Sequence, residues 1–162
     1  MTQQITPNLW FNNNAQEAID FYQSVFKDLK LIHTNYYTDV GEEITGHKNG
    51  DILTIDFEIL GTRFVAINAG PEFSFNPSVS FMIECETQEE IDYYWEKLSA
   101  VPQAEQCGWA QDKYGLSWQI TPKILNEMLK NGSEEQRKRV FEAFMPMHKL
   151  IINDLQKAYD GN

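Results

Sequence analysis

The sequence predicts an α+β fold made of two βαβββ modules, followed by a carboxy-terminal amphipathic helix. Three observations carry that reading: a repeated helix-opening segment, alternating apolar strands around each copy, and apolar residues at helical spacing near the end. Residues 16–22 read Gln-Glu-Ala-Ile-Asp-Phe-Tyr and residues 88–94 read Gln-Glu-Glu-Ile-Asp-Tyr-Tyr. Five of these seven positions agree at an offset of 88 − 16 = 72 residues.

Each element has its own signal. Residues 5–11 are short and apolar at alternate positions, as a strand with one buried face requires. A helix follows, because Ala18, Ile19, Tyr22, Val25, Phe26 and Leu29 form one apolar stripe. Any of Asn12, Asn13 or Asn14 is placed to cap it. Residues 29–38 are rich in β-branched and aromatic side chains, and residues 52–60 and 62–68 flank Gly61 as a hairpin. The polar loop 39–51 lies between them. The Gly- and Pro-containing stretch 69–77 is the natural joint between halves.

The second half repeats the plan. Residues 79–85 alternate as a strand, and Thr87 with Glu90 forms a capping box that starts a helix carrying Ile91, Tyr94, Trp95 and Leu98 on one face. Residues 106–111 and 116–121 form a hairpin around Asp112-Lys113-Tyr114-Gly115, and any third strand lies within 101–106. In the tail, Ser133 and Gln136 form another capping box. Val140, Phe144, Met147, Ile151, Leu155 and Tyr159 then predict one amphipathic helix kinked at Pro146. The expected organisation is a single domain, 1–162, with modules at 1–70 and 77–122 and a helical extension at 123–162.

Composition narrows the function classes. Of 162 residues, 42% are hydrophobic, with 10 Phe, 7 Tyr and 4 Trp, which suffices for a core. The formal net charge of −11 repels phosphate backbones and anionic lipid, so neither nucleic acid nor a membrane is an expected partner. No run of apolar residues is long enough to span a bilayer and no targeting segment is evident, so a cytoplasmic location is expected. Cys85 and Cys107 match no zinc spacing and are expected as reduced thiols.

Five blocks carry a family resemblance. They are Ala18-Ile19-Asp20-Phe21-Tyr22, Asn68-Ala69-Gly70-Pro71-Glu72-Phe73, Gln88-Glu89-Glu90-Ile91-Asp92, Cys107-Gly108-Trp109, and the run from Asp112 to Ile120 (Asp-Lys-Tyr-Gly-Leu-Ser-Trp-Gln-Ile). In this order they resemble the PhnB-like branch of the glyoxalase, or vicinal oxygen chelate, superfamily. The tail at 145–149 resembles the extended members of that branch. The resemblance implies curled mixed sheets around a cleft, commonly in homodimers, with a small organic ligand in the cleft. Members of this branch often bear a demethylubiquinone methyltransferase label. The chain has no Gly-rich turn of the kind that holds a methyl donor in a doubly wound fold, so no cofactor is expected.

The superfamily's metal enzymes place His or Glu on inward-facing strands. Its final ligand position, usually Glu, falls here on Gln119, four residues after Gly115. A neutral amide is a much weaker ligand than a carboxylate. The preceding positions fall on Ser80, on Thr6 or Asn8, and near Ala66 or Asn68, so no metal is expected in the family site. His33, His47 and His148 lie elsewhere, His47 in a polar loop and His148 in the tail helix, both read as surface residues. Strand alternation puts Asn8 and Trp10 on one face and Ser80, Met82 and Glu84 on the matching face of the other half. With Asn68 and Gln119 they form the expected ligand-binding set: a few neutral polar groups in an apolar setting. Trp109 and Trp118 either line the cleft or pack in the core. Two residues are candidates for chemistry. Glu84 would serve as a general base in a dry pocket, and Cys107 as a nucleophile, although no histidine or basic residue lies near it in sequence to activate it.

Overall fold

In residues 3–162, which a computed structural model describes, the sequence repeat becomes two sheets of matching strand order. The chain divides into two compact units, the first ending at Phe75 and the second Asn76–Asn162.

The first unit runs β1 (Asn8–Asn12), α1 (Ala15–Val25), β2 (Lys30–Tyr36), a short α2 (Glu42–Thr45), β3 (Ile52–Ile59) and β4 (Thr62–Ala69). The sheet order is β1-β4-β3-β2, with β1 parallel to β4 and the other pairs antiparallel. Alternation sets its two faces. Leu9, Phe11, Ile55, Phe57, Phe64 and Ala66 are buried, as are Ala18, Ile19, Tyr22 and Val25 of α1, which packs on β1, β3 and β4. Each large side chain so buried is worth about 1.5–3 kcal/mol. The β3–β4 turn is Leu60–Gly61, with φ of 47° and 77°, as a two-residue hairpin of primed type demands.

The second unit runs β5 (Ser80–Cys85), α3 (Gln88–Leu98), a 3₁₀ turn at Pro102–Ala104, β6 (Trp109–Gln111) and β7 (Ser117–Pro122). Three helices follow: α4 (Lys123–Asn131), α5 (Glu134–Phe144) and α6 (Ile152–Asp160). The sheet order is β5-β7-β6, with β5 parallel to β7, so it repeats β1-β4-β3 without a counterpart of β2. The third strand sought in 101–106 is replaced by the 3₁₀ turn, where Pro102 contributes no N–H to a ladder.

The tail departs from the expected single kinked helix. Pro146 ends α5 outright, and the chain runs non-helically to Ile151. The freed carbonyls find other donors: Cys107 N–H donates to Met147 O at 2.7 Å and Gly108 N–H to His148 O at 2.8 Å. Gln88 takes both sides of the next step, donating to Leu150 O and accepting from Ile152 N–H. The break shifts the apolar register by one, so Leu150 rather than Ile151 joins Leu125, Met128, Val140 and Leu155 in the tail's core. His148 therefore lies outside any helix.

Caps follow the sequence unevenly. Ser133 and Gln136 form the full reciprocal box. Thr87 accepts from Glu90 N–H, while the Glu90 carboxylate takes Glu86 N–H instead of closing the box on Thr87. None of the three asparagines caps α1 with its side chain: Asn14 occupies the cap position at φ −124° and ψ 23°, outside the extended region a side-chain cap uses. The first N–H, of Ala15, donates to Asn68 Oδ1 at 3.0 Å, from a strand 53 residues away.

Candidate functional site

Each sheet has one face packed on its helix and one face open. On the second sheet the open face carries Ser80, Met82 and Glu84 of β5, Gln119 of β7 and Trp109 of β6. Ser80 pairs with Ser117, Met82 with Gln119, and Trp109 with Gln119 across the neighbouring strands. Gln119 Nε2 donates to Ser80 Oγ at 2.8 Å. That bond leaves the Ser80 hydroxyl hydrogen and Gln119 Oε1 as a donor and an acceptor side by side. Met82 is 49% exposed and supplies apolar surface beside them. Trp118 is on the other face, buried, its indole N–H donating to Asp112 Oδ2 at 2.9 Å. Of the two tryptophans left open by sequence, Trp118 is core and Trp109 is half-buried on the open face.

On the first sheet the open face carries Asn8 and Trp10, paired in register with Val65 and Ile67. The Trp10 indole N–H is spent internally on Gly70 O at 2.9 Å, so the ring offers apolar surface alone. Asn68 is not on this face. It lies with Phe11 on the helix side of the sheet, and both ends of its amide are engaged: Oδ1 by Ala15 N–H, Nδ2 by Ile52 O. Registers in the two sheets make the equivalence explicit. Asn8 aligns with Ser80 through the repeat, Asn8 pairs with Val65 and Ser80 with Ser117, so Gln119 corresponds to Ile67. The position read near Ala66 or Asn68 is therefore Ile67, between them, and carries no polar atom.

The four equivalent positions are Asn8, Ile67, Ser80 and Gln119, an amide, a hydrocarbon, an alcohol and an amide. On neither sheet does the pair offer the carboxylate, imidazole or thiolate that binds a transition-metal ion most strongly. Among the described residues, no group of three His, Cys, Asp or Glu side chains is gathered to hold a metal.

The chemistry candidates are placed as follows. Glu84 is exposed, and its carboxylate accepts from Asn126 Nδ2 at 2.8 Å rather than facing a dry pocket. Cys107 sits at φ 51° on the turn that receives the tail, beside a cavity of about 380 Å³ lined also by Ala104, Gln106, Trp109 and Met145. Its thiol donates to Met145 O at 3.1 Å. The fold does bring a histidine to this neighbourhood, since Gly108 bonds His148 O, but the His148 ring lies 3.3 Å from Glu105. Burial pushes the Cys85 thiol up to about 12, with a further push from Glu90.

His47 is not a surface residue. It is 8% exposed and stacks on Tyr37, with ring centroids 4.2 Å apart and planes within 6°. Backbone bonds between Tyr37 and the loop end at Gly50 and Asp51 fold the polar loop back and close it over the ring. Burial raises the Tyr37 phenol above its ordinary value.

Sequence reading missed one cluster altogether. His33 and Asn35 of β2, Thr54 and Asp56 of β3 and Arg63 of β4 share the open face with Trp10. His33 pairs with Asp56 and Asn35 with Thr54 in register. Alternation along β2 was the available signal. Irregularities between Leu31 and His33 and between Asn35 and Tyr36 break it.

These two mixed sheets, with a parallel pair beside an antiparallel one in each, define a glyoxalase-like α+β protein. The family model described as 3-demethylubiquinone-9 3-methyltransferase matches residues 3–121, and the chain belongs to this PhnB-like family of the vicinal oxygen chelate superfamily. It is 33% identical to a PhnB protein from Bacillus cereus described with the same methyltransferase name. That match covers 74% of this chain and 99% of the other, with a TM-score of 0.59. A Pseudomonas aeruginosa protein shares the fold at 18% identity, covering 75% of this chain and 98% of its own, with a TM-score of 0.55. The fosfomycin resistance protein FosX from Listeria monocytogenes is 14% identical over 78% of this chain and 98% of its own, at a TM-score of 0.49. No curated protein matches the sequence.

Proposed function

We propose that the chain is a small-molecule-binding member of its family whose site works without a divalent metal. The observation that carries this reading is the Gln119–Ser80 hydrogen bond at 2.8 Å. Two positions that hold metal ligands in the superfamily's enzymes instead satisfy each other, and they keep one donor and one acceptor for a ligand. Apolar surface from Met82 and Trp109 beside them suits a partly apolar organic molecule, and Trp10, Val65 and Ile67 give the first sheet's open face a surface of the same kind. Among the neutral polar residues, Asn8, Ser80 and Gln119 are the proposed ligand contacts. Asn68 contributes by fixing α1.

The family name does not bring a methyl-transfer activity with it. A nucleotide-type donor sits over a Gly-rich turn in a parallel, doubly wound sheet. Here β1 ends at Asn12 and is followed by Asn13-Asn14, and both sheets are mixed. Binding for sequestration and an unassigned metal-free reaction use the same surfaces. The protein is further proposed to act as a homodimer in the cytoplasm; among the described residues no helix is long and apolar enough to cross a membrane.

The test combines metal analysis with a thermal-shift screen of apolar-bodied small molecules, each repeated with EDTA. The expected result is metal-free protein and hits indifferent to EDTA, lost in Ser80→Ala and Gln119→Ala. A ligand at 100 times its Kd stabilises by about 2.7 kcal/mol, well within detection. Stoichiometric nickel, zinc, iron or manganese in protein purified without chelator, or hits abolished by EDTA, would overturn the reading.

A further inference from the structure

The missed cluster on the first sheet has a direction built into it. Asn35 Nδ2 donates to Thr54 Oγ1 at 2.9 Å, which points its other end, Oδ1, at His33 Nε2, 3.1 Å away. A carbonyl oxygen only accepts, so the His33 nitrogen facing it carries the hydrogen. A neutral imidazole has one N–H, which leaves His33 Nδ1 as a bare acceptor. At the other end, the Thr54 hydroxyl has accepted its bond and keeps its own hydrogen to donate. One asparagine thereby sets both partners: an acceptor at His33 and a donor at Thr54.

The surroundings say what such a pair would take. Asn35, Thr54, Ile67 and Trp10 lie in one row across β2, β3, β4 and β1, and His33, Asp56, Val65 and Asn8 lie in the next. Polar groups thus occupy the β2–β3 side and apolar groups the β4–β1 side of one face. Arg63 is partnered to Asp56 at 2.7 Å and Lys30 to Glu58 at 2.9 Å, so neither of these cations offers a free positive charge to an anion there. Trp10 has its N–H occupied and presents only ring surface.

We propose that His33, Asn35 and Thr54 form a hydroxyl-recognising subsite, which binds an uncharged organic ligand whose apolar body lies against Trp10, Val65 and Ile67. The ligand's O–H donates to His33 Nδ1, and its oxygen accepts from Thr54. The subsite rests on the reading of the open faces as ligand surfaces, but it adds a chemical requirement that reading lacks. Asn35 is a positioning residue, because it acts through the two groups it orients.

Histidine-labelled protein at pH 8 tests it by ¹⁵N NMR, using phenol and toluene as probes of equal body and different polarity. The free protein is expected to show His33 as the Nε2–H tautomer, and Asn35→Ala to scramble it. Phenol is expected to bind at least tenfold tighter than toluene and to move the His33 Nδ1 resonance. His33→Phe and Thr54→Val should each bring phenol to the level of toluene, with toluene unchanged. A dominant Nδ1–H tautomer, or phenol binding no tighter than toluene, overturns the subsite. Toluene still perturbing the Trp10 indole would then leave the broader reading standing, whereas loss of both probes would count against the two together.

Discussion

An asparagine whose carbonyl takes a helix N–H and whose amide feeds a strand carbonyl is held at both ends, and Asn68 is such a residue. Asn68→Ala is expected to cost about 1–2 kcal/mol, the loss of a helix cap and of the donor to the part-buried Ile52 carbonyl. Asn68→Asp should recover part of it, since a carboxylate still accepts from Ala15 at a helix N-terminus. Urea unfolding of both variants checks this; an alanine variant as stable as the parent would remove Asn68 from the capping role. Leu60 offers the opposite case. It holds φ 47° while 53% exposed, so Leu60→Asn relieves a left-handed leucine at little loss of burial and should stabilise by about 1 kcal/mol. The two cysteines should separate by reactivity. With its thiol pushed up to about 12, buried Cys85 carries no thiolate near neutrality, so DTNB at pH 8 should titrate Cys107 alone until denaturant is added. The same shift has a sign in stability. Between the ordinary thiol value of 9.0 and about 12 the unfolded chain releases this proton and the folded chain keeps it. Stability is therefore independent of Cys85 below that window and falls as pH rises through it. Cys85→Ala should flatten that alkaline decline.

Elements whose instructions are local were legible in the sequence, and those that depend on register were not. Residues 16–22 and 88–94 announced the repeat because helix starts are written in contiguous residues, and both helices stand where the offset put them. The Ser133–Gln136 box likewise lies within one turn. The cap on α1 was hidden because its acceptor comes from β4, and the His33–Asn35–Thr54 chain was hidden because irregular pairing in β2 breaks the period. The tail was half legible. Its apolar spacing held for Val140 and Phe144 before Pro146 and for Leu155 and Tyr159 beyond it, while Leu150 took the place expected of Ile151, because spacing cannot tell a kink from a break when carbonyls find partners elsewhere in the chain. Those partners are Cys107 and Gly108, and Gly108 has no room to change. At φ 83°, an added Cβ would meet Leu150 Cδ1 at 2.9 Å and Ile120 O at 3.0 Å. Gly108→Ala is expected to cost about 2–4 kcal/mol, combining left-handed strain with overpacking. It should also open residues 145–151 to limited proteolysis. A variant cleaved no faster than the parent would mean the tail is held by its own core rather than by this turn.

At the scale of the whole molecule, two properties oppose each other: apolar exposure that favours association and charge that resists it. The outer strand β2 leaves Leu31, Ile32 and Tyr36 each at least half exposed, 54%, 50% and 57%. An edge strand of this kind invites a second chain unless charge or proline guards it, and β2 contains neither proline nor acidic residues. Lys30 is its only charged guard, and that ammonium is already paired with Glu58 at 2.9 Å. Against association stands the net charge of −11 per chain, which two copies must bring together. Salt reduces this repulsion over a Debye length of about 8 Å at physiological ionic strength, while apolar burial is not weakened by it. A homodimer resting on β2 should therefore tighten as salt is raised. The opposite dependence is expected for an interface made of ion pairs. Size-exclusion with light scattering across a salt series reads this directly, with Leu31→Lys and Ile32→Glu as variants that place charge at two half-exposed positions of the strand. The expected outcome is twice the chain mass, approached more fully at high salt and lost in both variants. A monomer at every salt and concentration would refute the dimer. A dimer that weakens with salt, or survives both substitutions, would move the interface off β2.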